Sequence, residues 1–299
     1  MLVSISWPFP GVCAYFQNLE GIGLSKHITL KQNMQLTIPK DAVVVFGGYS
    51  EPYKELIPNI SNRKGVLFTS SSGEVGLTPN MVEVTFLEKT LELLDRKIID
   101  FVLFSDPNMA EVFDRDDTYW IPCPIAPKLV KYDGNVEKTD GISLFCPAKP
   151  SKNIYGNLLA VKLIQEKRSI KLHTNLRGCE KLIKMLGIDA EIHDWLPTEH
   201  YHKLLSSMGV NLAVEWCGSY FNYNVVEAAL LGVPSVVNAV ADFYPLDETT
   251  VKNPDDPTEI ADKINYALDH PELGDIARDT ILKLAEKHNA KVKEVLDEI

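Results

Sequence analysis

Ser219–Val237, SYFNYNVVEAALLGVPSVV, decides how the chain is read. It is a loop, then a short helix, then a buried strand. Asn222 and Asn224 are turn and cap residues, and the side-chain oxygen of either can accept from the orphan amides of a helix start. Val225 to Leu231 make one apolar helix whose single carboxylate, Glu227, is expected in the first turn. Gly232 stops that helix, Pro234 bars its continuation, and Pro-Ser-Val-Val enters a strand. A helix start is a ready anion site. An acid there either stabilises the macrodipole or holds a ligand, and the pattern alone does not separate the two.

The same punctuation extends in both directions. Upstream, Val210–Val214 is a strand, Glu199–Met208 a helix behind Pro197-Thr198, Ala190–Asp194 a strand, Gly178–Met185 a helix and Ile170–Thr174 a strand. Before these, the strand Ile142–Cys146 leads through PAKPSKN (147–153) into a helix that runs to about Glu166. Downstream, Asp256-Pro257 opens a helix with proline at its first position, and Gly274–Glu298 is mostly helix. Pro122–Asn135 is proline-rich and then polar, which marks a domain boundary. Ahead of it, Leu2–Ser6, Ala42–Phe46, Gly65–Thr69, Phe101–Ser105 and Tyr119–Pro122 read as strands. Val12–Leu24, Met81–Lys97 and Pro107–Phe113 read as helices, and His27 falls in a helix-to-strand connection. Strands alternating with helices predict parallel α/β sheets. Their ligands bind beyond the carboxyl ends of the strands. Gly11, Gly47-Gly48 and the Ser70–Gly73 loop fall at those ends, and Gly11 closes a rigid turn where backbone must come close to something.

At 299 residues the chain can fill two cores, and its 45% hydrophobic and 24% charged content is that of a soluble globular protein. No apolar run approaches the roughly 20 residues of a spanning helix. The start, MLVSISWPFP, lacks a basic region and reads as a first strand instead of a signal peptide. The net charge is −11; residues 1–127 hold 10 Lys and Arg against 15 Asp and Glu, so neither half is basic. Nucleic acid and anionic membranes are therefore poor partners, with at most a peripheral membrane contact through Trp7 and Phe9. Cys13, Cys123, Cys146, Cys179 and Cys217 are scattered without ligand spacing, as reduced thiols of a cytoplasmic protein would be. His200 and His202 point to opposite sides of their helix and do not make a metal pair.

From Ile142 to Leu268 the order of signals resembles the family-4 glycosyltransferases, retaining enzymes of the GT-B fold. The matching pieces are SLFCPAKPSKNIYGNLLAVKLI, IHDWLPTEHYHKLLSSMGVNLAV, FNYNVVEAALLGVPSVV and PDDPTEIADKINYAL, in that order. Residues 1–127 resemble the family more loosely, in strands ending at glycine-rich loops and in SDPNMAEVF before a Trp-Ile-Pro strand. The resemblance implies two Rossmann-like parallel-sheet domains facing across a cleft: an acceptor-side domain over 1–127 and a nucleotide-sugar domain over 128–272. The helix of 273–299 is expected to pack back on the first domain.

The implied activity is transfer of a hexosyl group from a nucleotide-diphosphate-sugar, with retention, without metal and without a cofactor beyond that co-substrate. The acceptor is a sugar, a lipid or a protein. By the same resemblance, Lys149 and Lys152 stabilise the leaving diphosphate, though lysine lacks the bidentate fork of the family's arginine. Glu227 matches the acid that accepts from the donor ribose. Gly11, Asn153, Trp195, Ser219, Asn222, Asn224 and Val225 complete the donor set, with the amides near Asn224 and Val225 facing the diphosphate. The family's first glutamate falls at Ser219, and Glu215 stands nearby on a strand end. Its usual histidine falls in the Ser70–Ser72 loop, where Ser71, Ser72 and Glu74 are the nearest substitutes on the acceptor side. Arg177, after a strand end, is a further candidate for donor phosphate. A nucleotide-sugar-binding protein without turnover, or a sugar-nucleotide epimerase, would fit the same architecture.

Overall fold

The computed structural model describes residues 1–8, 10–32, 34–48, 53–71, 75, 82–131, 136–216, 221–238, 244 and 246–299. Phe9, Ser72, Glu74, Cys217 and Ser219 lie outside them. The chain divides into two compact units, Met1–Leu129 with Ala285–Ile299, and Val130–Leu284.

The first unit holds β1 (Leu2–Ser6), α1 (Pro10–Gly21), β2 (Lys26–Thr29), β3 (Val43–Gly47), α2 (Leu56–Asn59), β4 (Lys64–Phe68), α3 (Val82–Asp95), β5 (Phe101–Phe104), α4 (Pro107–Val112) and β6 (Thr118–Trp120). All neighbours pair in parallel in the order β2-β1-β3-β4-β5-β6. The inner strands are near-continuous runs of Val, Ile, Leu and Phe because helices cover both faces of a parallel sheet. Gly65 sits opposite Phe101 in the ladder. A Cβ there would stand 2.2 Å from the Phe101 ring and 2.6 Å from its carbonyl, so the aromatic ring occupies the glycine's missing side chain. Asp106 caps α4 by accepting from the Asn108 amide at 2.9 Å, with Pro107 in the first turn.

β2 is an element the sequence pattern missed. KHIT alternates little and lies at the sheet edge, so register with β1, not periodicity, makes it a strand. His27 therefore stands on a strand, not in a connection. Gly11 needs correcting too: it lies inside α1, which begins at Pro10, and an added Cβ would meet nothing within 4 Å. Close protein packing is not the reason for a glycine there. Gly47 is the tight position, where a Cβ would fall 2.1 Å from Val12 Cγ1.

The second unit holds β7 (Ile142–Leu144), α5 (Ile154–Gln165), β8 (Leu172–Thr174), α6 (Glu180–Leu186), β9 (Ala190–Ile192), α7 (Thr198–Ser207), β10 (Val210–Ala213), α8 (Tyr223–Leu230), β11 (Ser235–Asn238), β12 (Thr250–Val251) and α9 (Pro257–Asp269). Its parallel sheet runs β12-β11-β10-β7-β8-β9. A helix α10 (Leu273–Glu298) follows, with its last residues, from Ala285, belonging to the first unit. Among the described residues, no helix is long and apolar enough to cross a membrane.

After β6 the first unit has an apolar segment, Ile121–Ala126, that is buried without being a strand. Side chains satisfy its backbone. Asn289 donates to Ile125 O at 2.7 Å and accepts from Ile125 N at 3.0 Å, Asn18 accepts from Ala126 N at 2.7 Å, and Tyr15 donates to Pro122 O at 3.2 Å. His288 Nδ1 donates to Cys123 O at 3.0 Å. Burial lowers the pKa of His288, and also that of His27, where Glu20 opposes the shift only in part. Both rings take a proton near pH 6.5 when unfolded and only at lower pH when folded. The resulting stability is complete above about pH 6.5 and is lost as pH falls from there toward the folded values. Urea denaturation at steps between pH 7.5 and 5.5 should show a falling midpoint, and His288→Gln, which keeps a donor, should flatten that fall. An unchanged acid slope in the variant would contradict this account.

Candidate functional site

A parallel sheet wound first to one side and then to the other opens a crevice where the order reverses. In the second unit β7 leads outward to β8 and β9, and β10 then returns to the other side of β7. The reversal lies between β7 and β10, and the loops that follow these two strands meet there. Lys152 Nζ reaches Glu215 Oε1 at 2.6 Å, with the two side chains only 10% and 6% exposed. Asn222 Nδ2 donates to the same oxygen at 3.0 Å. Glu215 N donates to Asn238 Oδ1 at 3.1 Å. Asn157 Nδ2 donates to Val214 O at 2.8 Å and to Lys152 O at 3.2 Å, and Trp216 N donates to Ser151 O at 2.8 Å. These bonds tie the loop before α5 to the end of β10.

Leu144, Cys146, Lys152, Asn157, Glu215 and Asn222 line a cavity of about 10 Å³ beside the pair, room for about one water. Burial pushes the Cys146 thiol up to about 12, against the pull of Lys152, so it stays protonated and is no nucleophile at neutral pH.

Local chemistry explains the geometry of α8. Asn222 is the cap: its side chain accepts from Asn224 N at 3.0 Å, and its carbonyl receives Val225 N and Val226 N. Gly232, at φ +68, and Val233 close the other end by donating to Ala229 O and Ala228 O, a Schellman stop. Because the cap sits at Asn222, the helix begins at Tyr223 and Glu227 is in its second turn. The expected first-turn acid is thereby corrected. The amides of Asn224 and Val225 are both engaged by Asn222.

Glu227 is instead held by α7. Asn224 Nδ2 donates to Tyr201 Oη at 2.5 Å. Burial and the charge of Glu227 push the Tyr201 phenol well above its ordinary value, so it remains a donor toward Glu227. His202, 2% exposed, accepts the Lys131 amide at Nδ1 (3.4 Å), which places the proton of the neutral ring on Nε2. That Nε2 lies 3.8 Å from Glu227 Oε1 and has no hydrogen-bond partner among the described residues.

The remaining candidates fall as follows. Lys149 is exposed, just ahead of the 3-10 turn Pro150–Lys152. Asn153 is buried in the left-handed region (φ 43, ψ 43), and its amide donates to Pro254 O at 2.6 Å. Trp195 is 76% exposed after β9. Arg177 pairs with Asp194. Val225 is buried in the core of α8. In the first unit, Gly11 lies in the first turn of α1, where an added Cβ would meet nothing within 4 Å, and Ser71 is buried, its carbonyl receiving Val75 N at 3.1 Å. Lys152 and Asn222 are thus in direct contact with Glu215, which no motif placed in register, while Asn224 and Glu227 join through Tyr201. The only sequence signal for Glu215 was its place at the end of an apolar strand.

No model of a known protein family matches the chain, and no curated protein sequence does. Solved structures do match. HepE of Anabaena, in complex with UDP-glucose, superposes with a TM-score of 0.74 over 100% of both chains at 13% identity. Sucrose-phosphate synthase of Thermosynechococcus elongatus gives 0.69 over 99% of this chain and 98% of that one at 14% identity. The E. coli trehalose-6-phosphate protein bound with UDP-2-fluoro glucose gives 0.65 over 99% and 98% at 14% identity. At such identity the likeness is one of fold, and the fold is GT-B.

The buried pair makes a stability prediction. Removing one partner leaves the other charge without its counterion, at a cost of about 3–5 kcal/mol, whereas replacing both by apolar groups recovers much of that loss. Glu215→Ala and Lys152→Ala should each lower the urea-denaturation stability by this order, and Lys152→Met with Glu215→Leu by clearly less than the two combined. Single losses below about 1 kcal/mol, the range of surface pairs, would show that the pair is not buried in solution.

Proposed function

We propose that the chain is a glycosyltransferase that moves a hexosyl group from a nucleotide-diphosphate-sugar to an acceptor, with retention and without a metal ion in the transfer step. The observation that carries this reading is the meeting of Lys152, Glu215 and the capped start of α8 at the strand-order reversal. It lies where a Rossmann-like sheet binds its ligand. The GT-B fold and the UDP-glucose bound by HepE, a fold relative, support the same ligand class.

In this reading the second unit holds the donor and residues 1–127 receive the acceptor. Glu227 accepts two hydroxyls of the donor ribose, steadied by Tyr201 and with the buried His202 ring beside it. Trp195 offers its exposed face to the base. Lys152, oriented by Glu215, and the exposed Lys149 supply positive charge where the diphosphate departs, the charge that grows in the transition state. Asn153, Asn222 and Asn224 shape the pocket around the phosphates and sugar, Val225 supports the start of α8 from the core, and Ser219 and Gly11 are further donor-side candidates. The acceptor hydroxyl attacks from the face that the diphosphate leaves, and a diphosphate oxygen takes its proton, so no protein nucleophile is needed. Ser71, Ser72 and Glu74 are the acceptor-side candidates. The reaction belongs to the cytoplasm, where nucleotide-sugars are made.

One observation favours a second reading, nucleotide-sugar binding without turnover: the charge of Lys152 is already matched by Glu215. A thermal-shift panel of UDP, GDP and ADP with their glucose conjugates tests the shared premise. One nucleotide should raise the melting temperature by mass action. Glu227→Ala should weaken that ligand about 10- to 100-fold, the worth of a charged hydrogen bond or two. No shift with any of them sinks both readings. A shift with a donor that stays intact alongside sugar, lipid and peptide acceptors selects the binding protein.

A further inference from the structure

His173, Glu191 and His193 form a second cluster that the donor site does not use. His173 on β8 stands opposite Glu191 on the edge strand β9 in parallel register. His193 follows Glu191 by two residues, so the alternation of an extended chain returns it to the same face. Its amide donates to Thr174 O at 2.7 Å and keeps it in register with β8. His173 Nδ1 and His193 Nε2 are 3.1 Å apart. The carboxylate of Glu191 comes within 3.9 Å of His173 Nδ1 and 3.8 Å of His193 Nδ1. One ligand atom from each residue lies within 4.8 Å of the other two.

We propose that His173, His193 and Glu191 bind one divalent transition-metal ion of the zinc class, with a fourth position left to water. Two imidazoles and a carboxylate are a donor set that zinc accepts, and ligand nitrogens about 2.0–2.1 Å from a tetrahedral ion stand about 3.3 Å from each other. The separation of the two ring nitrogens is already close to that edge, so a small rotation of each ring admits the ion. A neutral histidine pair can place only one proton between facing nitrogens, and a cation satisfies both lone pairs at once.

The position gives the ion a task. β9 is a three-residue edge strand, and the ion would fasten it to β8 through side chains of both. The Phe145 ring lies 5.9 Å from the ring of His193 and 5.4 Å from that of Tyr201, whose hydroxyl belongs to the Asn224 and Glu227 network. The cluster therefore braces the wall behind Tyr201. It takes no part in stabilising the leaving diphosphate.

The test uses the full chain, freed of metal with a chelator and titrated with Co²⁺ and Zn²⁺ by calorimetry and visible absorption. We expect one ion per chain and the intense visible bands of four-coordinate cobalt. Glu191→Gln and His193→Gln should each weaken binding by more than the roughly 10- to 100-fold that loss of an outer partner costs. Glu191 is exposed, so its isosteric change leaves the fold intact, as circular dichroism will check. His200→Gln, an exposed histidine outside the cluster, should leave the affinity unchanged. The proposal is overturned by absence of stoichiometric binding, or by binding that either cluster variant leaves unaltered, which would put the ion on cysteines or elsewhere.

Discussion

The buried ion pair between Lys152 and Glu215 is the constraint on which the second unit's architecture turns. Taking two charges out of water costs several kcal/mol for each, and attraction repays that only with good geometry and further hydrogen bonds. The 2.6 Å contact and the Asn222 amide supply part of this. The pair joins the loops that leave the neighbouring strands β7 and β10, beyond the end of their ladder. Asn157 and the Trp216 amide repeat the linkage through backbone carbonyls. Such a network is costly when half made, because each orphaned group keeps its desolvation penalty. The loop before α5 and the start of α8 are therefore expected to order as one piece.

The first unit meets the same problem with neutral groups. Its Ile121–Ala126 segment has apolar side chains fit for the core but few strand bonds for its amides. Asn289, Asn18, Tyr15 and His288 take those bonds instead. Neutral donors avoid the desolvation of full charge, and where a histidine serves, its burial disfavours the protonated ring, with the bond to Cys123 O opposing that shift only in part. The charged solution is found where we place an anionic ligand, which is consistent with the pair orienting a lysine as well as holding loops.

How much of this was legible in the sequence depends on the range of the interaction involved. Asn222 as a cap residue, Gly232 as a stop, and Asp256-Pro257 as a helix start are local signals, and the structure carries each of them. The alternation of strand and helix was equally plain, because parallel strands covered on both faces are continuous apolar runs. What failed was register. With two cap-type residues available, α8 was started two residues late, which put Glu227 in the wrong turn. β2 is made a strand by pairing with β1, a contact its own four residues do not encode. Glu215 and Lys152 are 63 positions apart, and only the strand order brings them together. His173, Glu191 and His193 show no ligand spacing along the chain, yet β8 and β9 in register put them on one face.

The central claim is that the loop of Lys152 and the start of α8 together form the donor site. Hydrogen–deuterium exchange of the intact chain, with and without saturating UDP-glucose, tests it most directly. The account predicts slower exchange concentrated in peptides covering 146–157 and 221–231, with the two segments protected together. Binding without protection in either segment, or with protection in only one of them, would contradict it.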